Sequence, residues 1–133
     1  MLIPATRYKD CDAALSYLTG VLGFKEHAVH RDADGKIVHA QLTEGGDIFM
    51  FGPPGGGAFD PLMIAPKEAG GRCTTSVYVV VTDIENRYKA VTEAGAEIVI
   101  PLEAQDYGGQ SFTLRDPEGH IWTFGDYDPT KES

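Results

Sequence analysis

The sequence predicts an α+β fold of two tandem modules, each running strand, helix and then three strands. Three observations lead there. Residues Gly46-Asp47-Ile48-Phe49-Met50-Phe51-Gly52 recur as Gly119-His120-Ile121-Trp122-Thr123-Phe124-Gly125, at an offset of 73. The same offset carries Asp10, which opens Asp-Cys-Asp-Ala-Ala-Leu-Ser-Tyr-Leu, onto Asp83, which opens Asp-Ile-Glu-Asn-Arg-Tyr-Lys-Ala-Val; one deleted position later, Gly23-Phe24 falls on Gly95-Ala96. Finally, apolar residues at helical spacing follow each of these aspartates, and extended, turn-bounded runs follow each helix. A repeat of about half the chain is a duplicated supersecondary module, because solenoid repeats are shorter and more numerous.

Residues 2–8 read as the first strand, with Ile3, Ala5 and Arg7 on one face. Asp10 or Asp12 offers a helix N-cap, Ala14, Leu15, Leu18, Val21 and Leu22 form the apolar line, and Gly23 stops the helix. Residues 24–31 are a second strand, closed by the turn Asp32-Ala33-Asp34-Gly35, since Asp-Gly takes up positive φ readily. Residues 36–43 and 47–52 complete the module across the turn Glu44-Gly45-Gly46. The second copy follows the same order. Residues 75–81 are a β-branched strand, and Asp83 caps a helix along Ile84, Tyr88 and Val91 that Gly95 stops. Strands at 97–100, 110–115 and 121–126 follow, the last two joined by the turn Asp116-Pro117-Glu118-Gly119. The boundaries are therefore module 1 at 1–52, a connecting loop at 53–72 and module 2 at 73–128, within one domain over 1–133; the polar tail at 129–133 is expected to fray.

The 20-residue connector holds four prolines and five glycines, but also Phe59, Leu62, Met63 and Ile64, which a solvated linker does not need. It reads as a packed flap or an intersubunit contact. Its Gly55-Gly56-Gly57 triplet lacks the following Lys-Ser/Thr of a phosphate loop.

At 133 residues the chain buries a core without metal or disulfide support, and 42% hydrophobic content is ordinary for a globular protein. No stretch approaches the ~20 apolar residues that cross a bilayer, so no membrane partner is expected and the chain reads as cytoplasmic. Cys11 and Cys73 lack C-x-x-C spacing and read as small buried hydrophobes. Eleven basic against twenty acidic side chains give a net charge of −9, which argues against nucleic acid and permits a cationic ligand.

The order of these elements, with Arg7-Tyr8-Lys9-Asp10, Val21-Leu22-Gly23-Phe24, Tyr107-Gly108 and Asp116-Pro117-Glu118-Gly119-His120-Ile121-Trp122, resembles the vicinal oxygen chelate superfamily. That group includes glyoxalase I, extradiol dioxygenases, fosfomycin resistance proteins and bleomycin-binding proteins. The resemblance covers nearly the whole chain and is most specific over 107–124. It implies paired βαβββ modules forming a curved mixed sheet, a ligand cleft inside the resulting cup, and a homodimer that often completes the cleft.

The superfamily's enzymes bind a divalent metal with His and Glu from the first and last strands of each module. An open-sided metal chelates two neighbouring substrate oxygens and acts on them as a Lewis acid. Here the resemblance places those positions at Ile3, at Val77 (or Ser76 if the register slips by one), and at Met50 and Thr123. None is a credible ligand for a hard or borderline divalent ion. Neither a metal nor any other cofactor is therefore expected.

Four histidines remain. His27 and His30, near the Asp-Gly turn, read as exposed, and His120 as structural. Alternation in His39-Ala40-Gln41-Leu42 puts His39 and Gln41 on one face and Val38, Ala40 and Leu42 on the other. His39 then either orients a ligand or acts as a general base near neutral pH, against the plainer reading of a satisfied sheet histidine. Arg7 reads equally as a clamp for a carboxylate or phosphate and as the partner of an acidic side chain. Tyr107, Phe112 and Tyr127 offer stacking surfaces for a planar ligand, although each also suits a core or a turn. Trp122 alternates with Thr123 and reads as core.

The function expected is small-molecule binding without metal, in a dimer close to the bleomycin-resistance branch. Arg7, His39, Gln41, Met50, Tyr107, Phe112, Thr123 and Tyr127 are the candidate ligand-binding residues, and no catalytic residue is assigned. The alternatives are an enzyme of the glyoxalase or dioxygenase type with a relocated or absent metal, and a dimeric scaffold.

Overall fold

The computed structural model describes residues 1–131. The last two positions of the tail expected to fray lie outside the described residues. At its start, Asp128 Oδ1 accepts from the backbone N–H and hydroxyl of Thr130, which makes a turn there.

The chain divides into two compact units, Met1–Gly71 and Arg72–Ser133, so the connecting loop belongs to the first. Among the described residues each unit is a four-stranded mixed sheet with one α-helix, which makes the protein α+β with two similar modules. In the first unit β1 (Ala5–Arg7), α1 (Cys11–Gly20), β2 (Lys25–Arg31), β3 (Ile37–Glu44) and β4 (Asp47–Gly52) give the strand order β1-β4-β3-β2. In the second, β5 (Val77–Val80), α2 (Ile84–Glu93), β6 (Glu97–Ala104), β7 (Gln110–Arg115) and β8 (Ile121–Gly125) give β5-β8-β7-β6. The first strand of each unit runs parallel to its last strand, and the other pairings are antiparallel.

Local chemistry explains the ends of these elements. Asp10 caps α1 by accepting from Ala13 N at 3.0 Å, satisfying one of the donors a helix start leaves open. Asp83 stands at the start of α2, but its carboxylate accepts from the Asn86 side chain instead. Asp32 Oδ1 accepts from Asp34 N and Lys36 N and so folds the β2–β3 turn. The buried Asp116 does the same before β8: Oδ1 accepts from Glu118 N and His120 N, and Oδ2 from Trp122 Nε1 at 3.0 Å. The turn and the core tryptophan are thus tied to one carboxylate.

The helix sides of the sheets form the core. Ala40, Leu42, Phe49 and Phe51 are buried in the first unit, as are Cys11, Ala14 and Leu18 on one face of α1. In the second unit Phe112 and Phe124 stack at 5.3 Å, Tyr88 of α2 lies 5.0 Å from Phe112, and Arg87 of α2 sits over Phe124.

Four expectations are corrected. The first strand is three residues rather than seven, and β6 runs on to Ala104. A bulge between the His30–His39 and Arg31–Ile37 pairs interrupts alternation in β3. Ile37 is therefore buried, while Val38 is 49% exposed and does not join Ala40 and Leu42 in the core. Cys73 is only half-buried, its thiol donating to Gly119 O, whereas Cys11 is buried as expected. Among the described residues no helix is long and apolar enough to cross a membrane.

Candidate functional site

Each sheet has a face turned away from its helix, and the cross-strand register decides which residues share it. In the first unit Met50 pairs with Ala5 on one side and Gln41 on the other, and Arg7 pairs with Gly52. His39 precedes Gln41 by two and lies on the same face, with the two Nε2 atoms 3.1 Å apart. The amide nitrogen and the ring are thus within hydrogen-bonding distance of each other. The His30 ring stacks on His39 at 5.9 Å. His30 and His27 are exposed, as the sequence suggests.

Arg7 ends this row as an ion pair. Its Nη1 donates to Asp60 Oδ1 at 3.1 Å and to Pro53 O at 2.6 Å, and the guanidinium lies 5.5 Å from the Phe59 ring centre. The backbone N–H groups of Gly56 and Gly55, and then the Arg7 guanidinium, hold the Asp60 carboxyl below its ordinary range. Sequence alone left Arg7 open between clamp and ion pair. The structure gives the pair, formed through the connecting loop, with Lys9 bonded to Glu68 further along that loop.

In the second unit Thr123 pairs with Tyr78 and Thr113, and the two threonine hydroxyls are 2.8 Å apart. Tyr78 leans over Gly125, where a Cβ would come within 2.8 Å of its Cζ, and donates its phenol proton to Tyr127 O at 2.8 Å. Tyr127 meets Tyr107 edge to face at 5.0 Å. The intervening turn needs glycine: Gly109 has φ +70°, and a Cβ there would run into the Asp126 carboxylate. Desolvation, followed by the nearby Tyr107 and Asp126, raises the Tyr78 phenol above its ordinary value of 10.0.

Seven of the candidate residues thus fall into two local groups, His39–Gln41–Met50 with Arg7 at its end, and Tyr107–Tyr127 near Thr123. Phe112 does not join them. It is 0% exposed and lies behind the sheet between Phe124 and Tyr88, so its ring is core. Trp122 is core, as expected. Sequence reading missed Tyr78, although the offset of 73 that pairs Met50 with Thr123 carries Ala5 onto it. It also missed Asp60, which has no local signal.

The model of the glyoxalase/bleomycin resistance protein/dioxygenase superfamily matches residues 4–124. The chain belongs to this superfamily. It is similar to TioX from Micromonospora sp. ML1, at 31% identity and a TM-score of 0.71, over 93% of this chain and 95% of that one. An uncharacterized protein of Mycobacterium bovis is 32% identical over 92 residues, 69% of this chain but only 60% of that protein's length. The bleomycin resistance determinant encoded on transposon Tn5 shares the fold at a TM-score of 0.66 and 22% identity, over 96% of this chain and 98% of its own.

The residues present do not fit a metal of the kind the superfamily's enzymes use. Met50 and Thr123 sit between Ala5 and Gln41 and between Tyr78 and Thr113, a set of thioether, hydroxyl, amide and methyl groups. Val77 is corrected as a candidate position, because it pairs with Trp122 on the helix side. Ser76 is the match to Ile3 under the 73-residue offset. Among the described residues no three His, Cys, Asp or Glu side chains gather into a group that could hold a metal ion.

Proposed function

We propose that this protein binds and sequesters a neutral or cationic, largely apolar small molecule, without a metal, and that it does so as a homodimer. One observation carries the reading. The equivalent central positions of the two sheets, Met50 and Thr123, are uncharged and flanked by uncharged neighbours, where chelating members of the superfamily need imidazole and carboxylate donors. What remains is a set of apolar and aromatic groups with a few oriented polar anchors, the composition of a binding surface rather than a reaction centre. Gln41 and His39 supply hydrogen bonds, Met50 supplies an adaptable thioether, and Tyr107 and Tyr127 supply ring faces. Arg7 is neutralised by Asp60, and the net charge of −9 favours a cation over an acid. The bleomycin resistance determinant on Tn5 has the same fold, which adds weight to a drug-like ligand.

The dimer is supported by the loop that follows β4, where Phe59, Leu62 and Ile64 expose 57%, 72% and 62% of their surface. Sedimentation at micromolar concentration is expected to give twice the chain mass of 14.4 kDa; a stable species of one chain's mass overturns the dimer.

Calorimetric titration with bleomycin and with small organic acids, alongside elemental analysis of tag-free protein, tests the rest. Binding of the cation by protein lacking stoichiometric transition metal is the expected result. Near-stoichiometric zinc, nickel, iron or manganese would instead return the chain to the chelating enzymes. Tight binding of an acid that is lost in Arg7→Ala would overturn the proposed ligand charge.

A further inference from the structure

The Gly-rich turn after β4 lacks the phosphate-loop motif, yet its backbone holds an oxyanion. Gly55 N donates to both carboxylate oxygens of Asp60 at 3.1 Å, Gly56 N donates to Oδ2, and Arg7 Nη1 donates to Oδ1 at 3.1 Å. Two adjacent backbone N–H groups and a full positive charge therefore converge on one carboxylate. Successive N–H groups in a glycine turn form a concavity suited to an anion, and a guanidinium beside them supplies charge and direction. Arg7 has further anchors that do not involve Asp60, the carbonyl of Pro53 and the face of Phe59. Arg7 thus has reasons to stay in place when the carboxylate leaves. The ion-paired side chains of Arg7 and Asp60 remain 24% and 27% exposed, so solvent and small anions reach them.

We infer that Arg7, Gly55 and Gly56 form an oxyanion-binding cradle for a carboxylate or phosphoryl group, which the chain keeps closed with its own Asp60. Asp60 competes at the high effective concentration of a tethered group, so a free anion without other contacts does not displace it. Its consequence for ligand choice rests on the binding function proposed above: with Asp60 in place this end of the sheet rejects acids, and without it the same donors accept them. The cradle itself stands apart from that function, since it concerns how these three residues treat any oxyanion.

The experiment is chemical rescue of Asp60→Ala by formate and by inorganic phosphate, followed through the backbone amide resonances of Gly55 and Gly56 and through the melting temperature. Both readouts are expected to respond saturably in the variant and to stay flat in the wild type at the same anion concentrations. Rescue by formate alone assigns the cradle to carboxylates, and rescue by phosphate alone to phosphoryl groups. In Arg7→Ala/Asp60→Ala the affinity is expected to fall about tenfold or more, the loss of one charged hydrogen-bond donor. Should Asp60→Ala not fold, Asp60→Asn keeps an acceptor oxygen and removes the charge, and phosphate is expected to compete with that neutral amide. The inference is overturned if neither anion moves Gly55 and Gly56 in a folded variant, or if the double variant responds as strongly as the single one.

Discussion

Gly125→Ala tests how the second sheet holds Tyr78 beside Thr123. Gly125 is not among the glycines with positive φ, so alanine fits its backbone and the cost is steric alone. The new methyl group would stand 2.8 Å from Tyr78 Cζ and 2.9 Å from Cε2, well inside contact distance. The ring has to swing away, which breaks its 2.8 Å hydrogen bond to Tyr127 O. The clash is with the far end of a ring that is 37% exposed and can give way toward solvent, so it sits at the low end of overpacking, about 1 kcal/mol, and the lost bond adds roughly 0.5 kcal/mol. A chain of this size melts about 3–5 °C lower per kcal/mol, so a drop of roughly 5–8 °C is expected by calorimetry. The double variant Tyr78→Ala/Gly125→Ala completes the cycle. With the ring absent the methyl group meets nothing comparable, and Gly125→Ala in that background is expected to cost close to zero. Pushed out to solvent, the phenol of Gly125→Ala should also titrate nearer its ordinary value, because desolvation is the first cause of its upward shift. Equal destabilisation by Gly125→Ala with and without the Tyr78 ring would refute the packing of Tyr78 over Gly125.

Other outcomes follow from the same geometry. Phe112→Ala, which empties a fully buried site between Phe124 and Tyr88, is expected to cost about 3–5 kcal/mol in denaturant unfolding; a marginal effect would put the ring back among the ligand-facing candidates. Asp60 has a folded pKa below its ordinary 3.8, so its stabilisation is full above that value and is lost as pH falls through the lower, folded one. Protection of the 53–64 amides from hydrogen exchange should therefore fade in that acid window and become independent of it in Asp60→Asn. Tyr78 shifts the other way: its contribution is full below 10.0 and disappears as pH rises through the higher folded pKa. The late-titrating part of the tyrosinate absorbance curve is expected to shrink in Tyr78→Phe.

The elements of this fold were legible because their signals are local. The Asp10 cap, the Asp32–Gly35 and Asp116–Gly119 turns, and the helix stops each depend on backbone groups within a few residues, so residue type at a given spacing was enough to locate them. The 73-residue repeat then assigned the second module from the first, including the equivalence of Met50 and Thr123. Alternation correctly placed His39 beside Gln41 and Trp122 in the core. It failed at Val38, where a bulge offsets the side-chain period of two; Phe112 was misplaced on residue type alone, which suited a ligand surface and a core equally. Tyr78 lay within a β-branched run that gave no reason to single it out until pairing with Thr123 fixed its face. The charge of the Arg7 end depended on tertiary structure most of all. Its partner is 53 positions away in a proline- and glycine-rich loop, and no period or motif links the two. Only the folded path of that loop brings Asp60 to Arg7, because an ion pair is set by distance in space, and sequence separation carries no record of it.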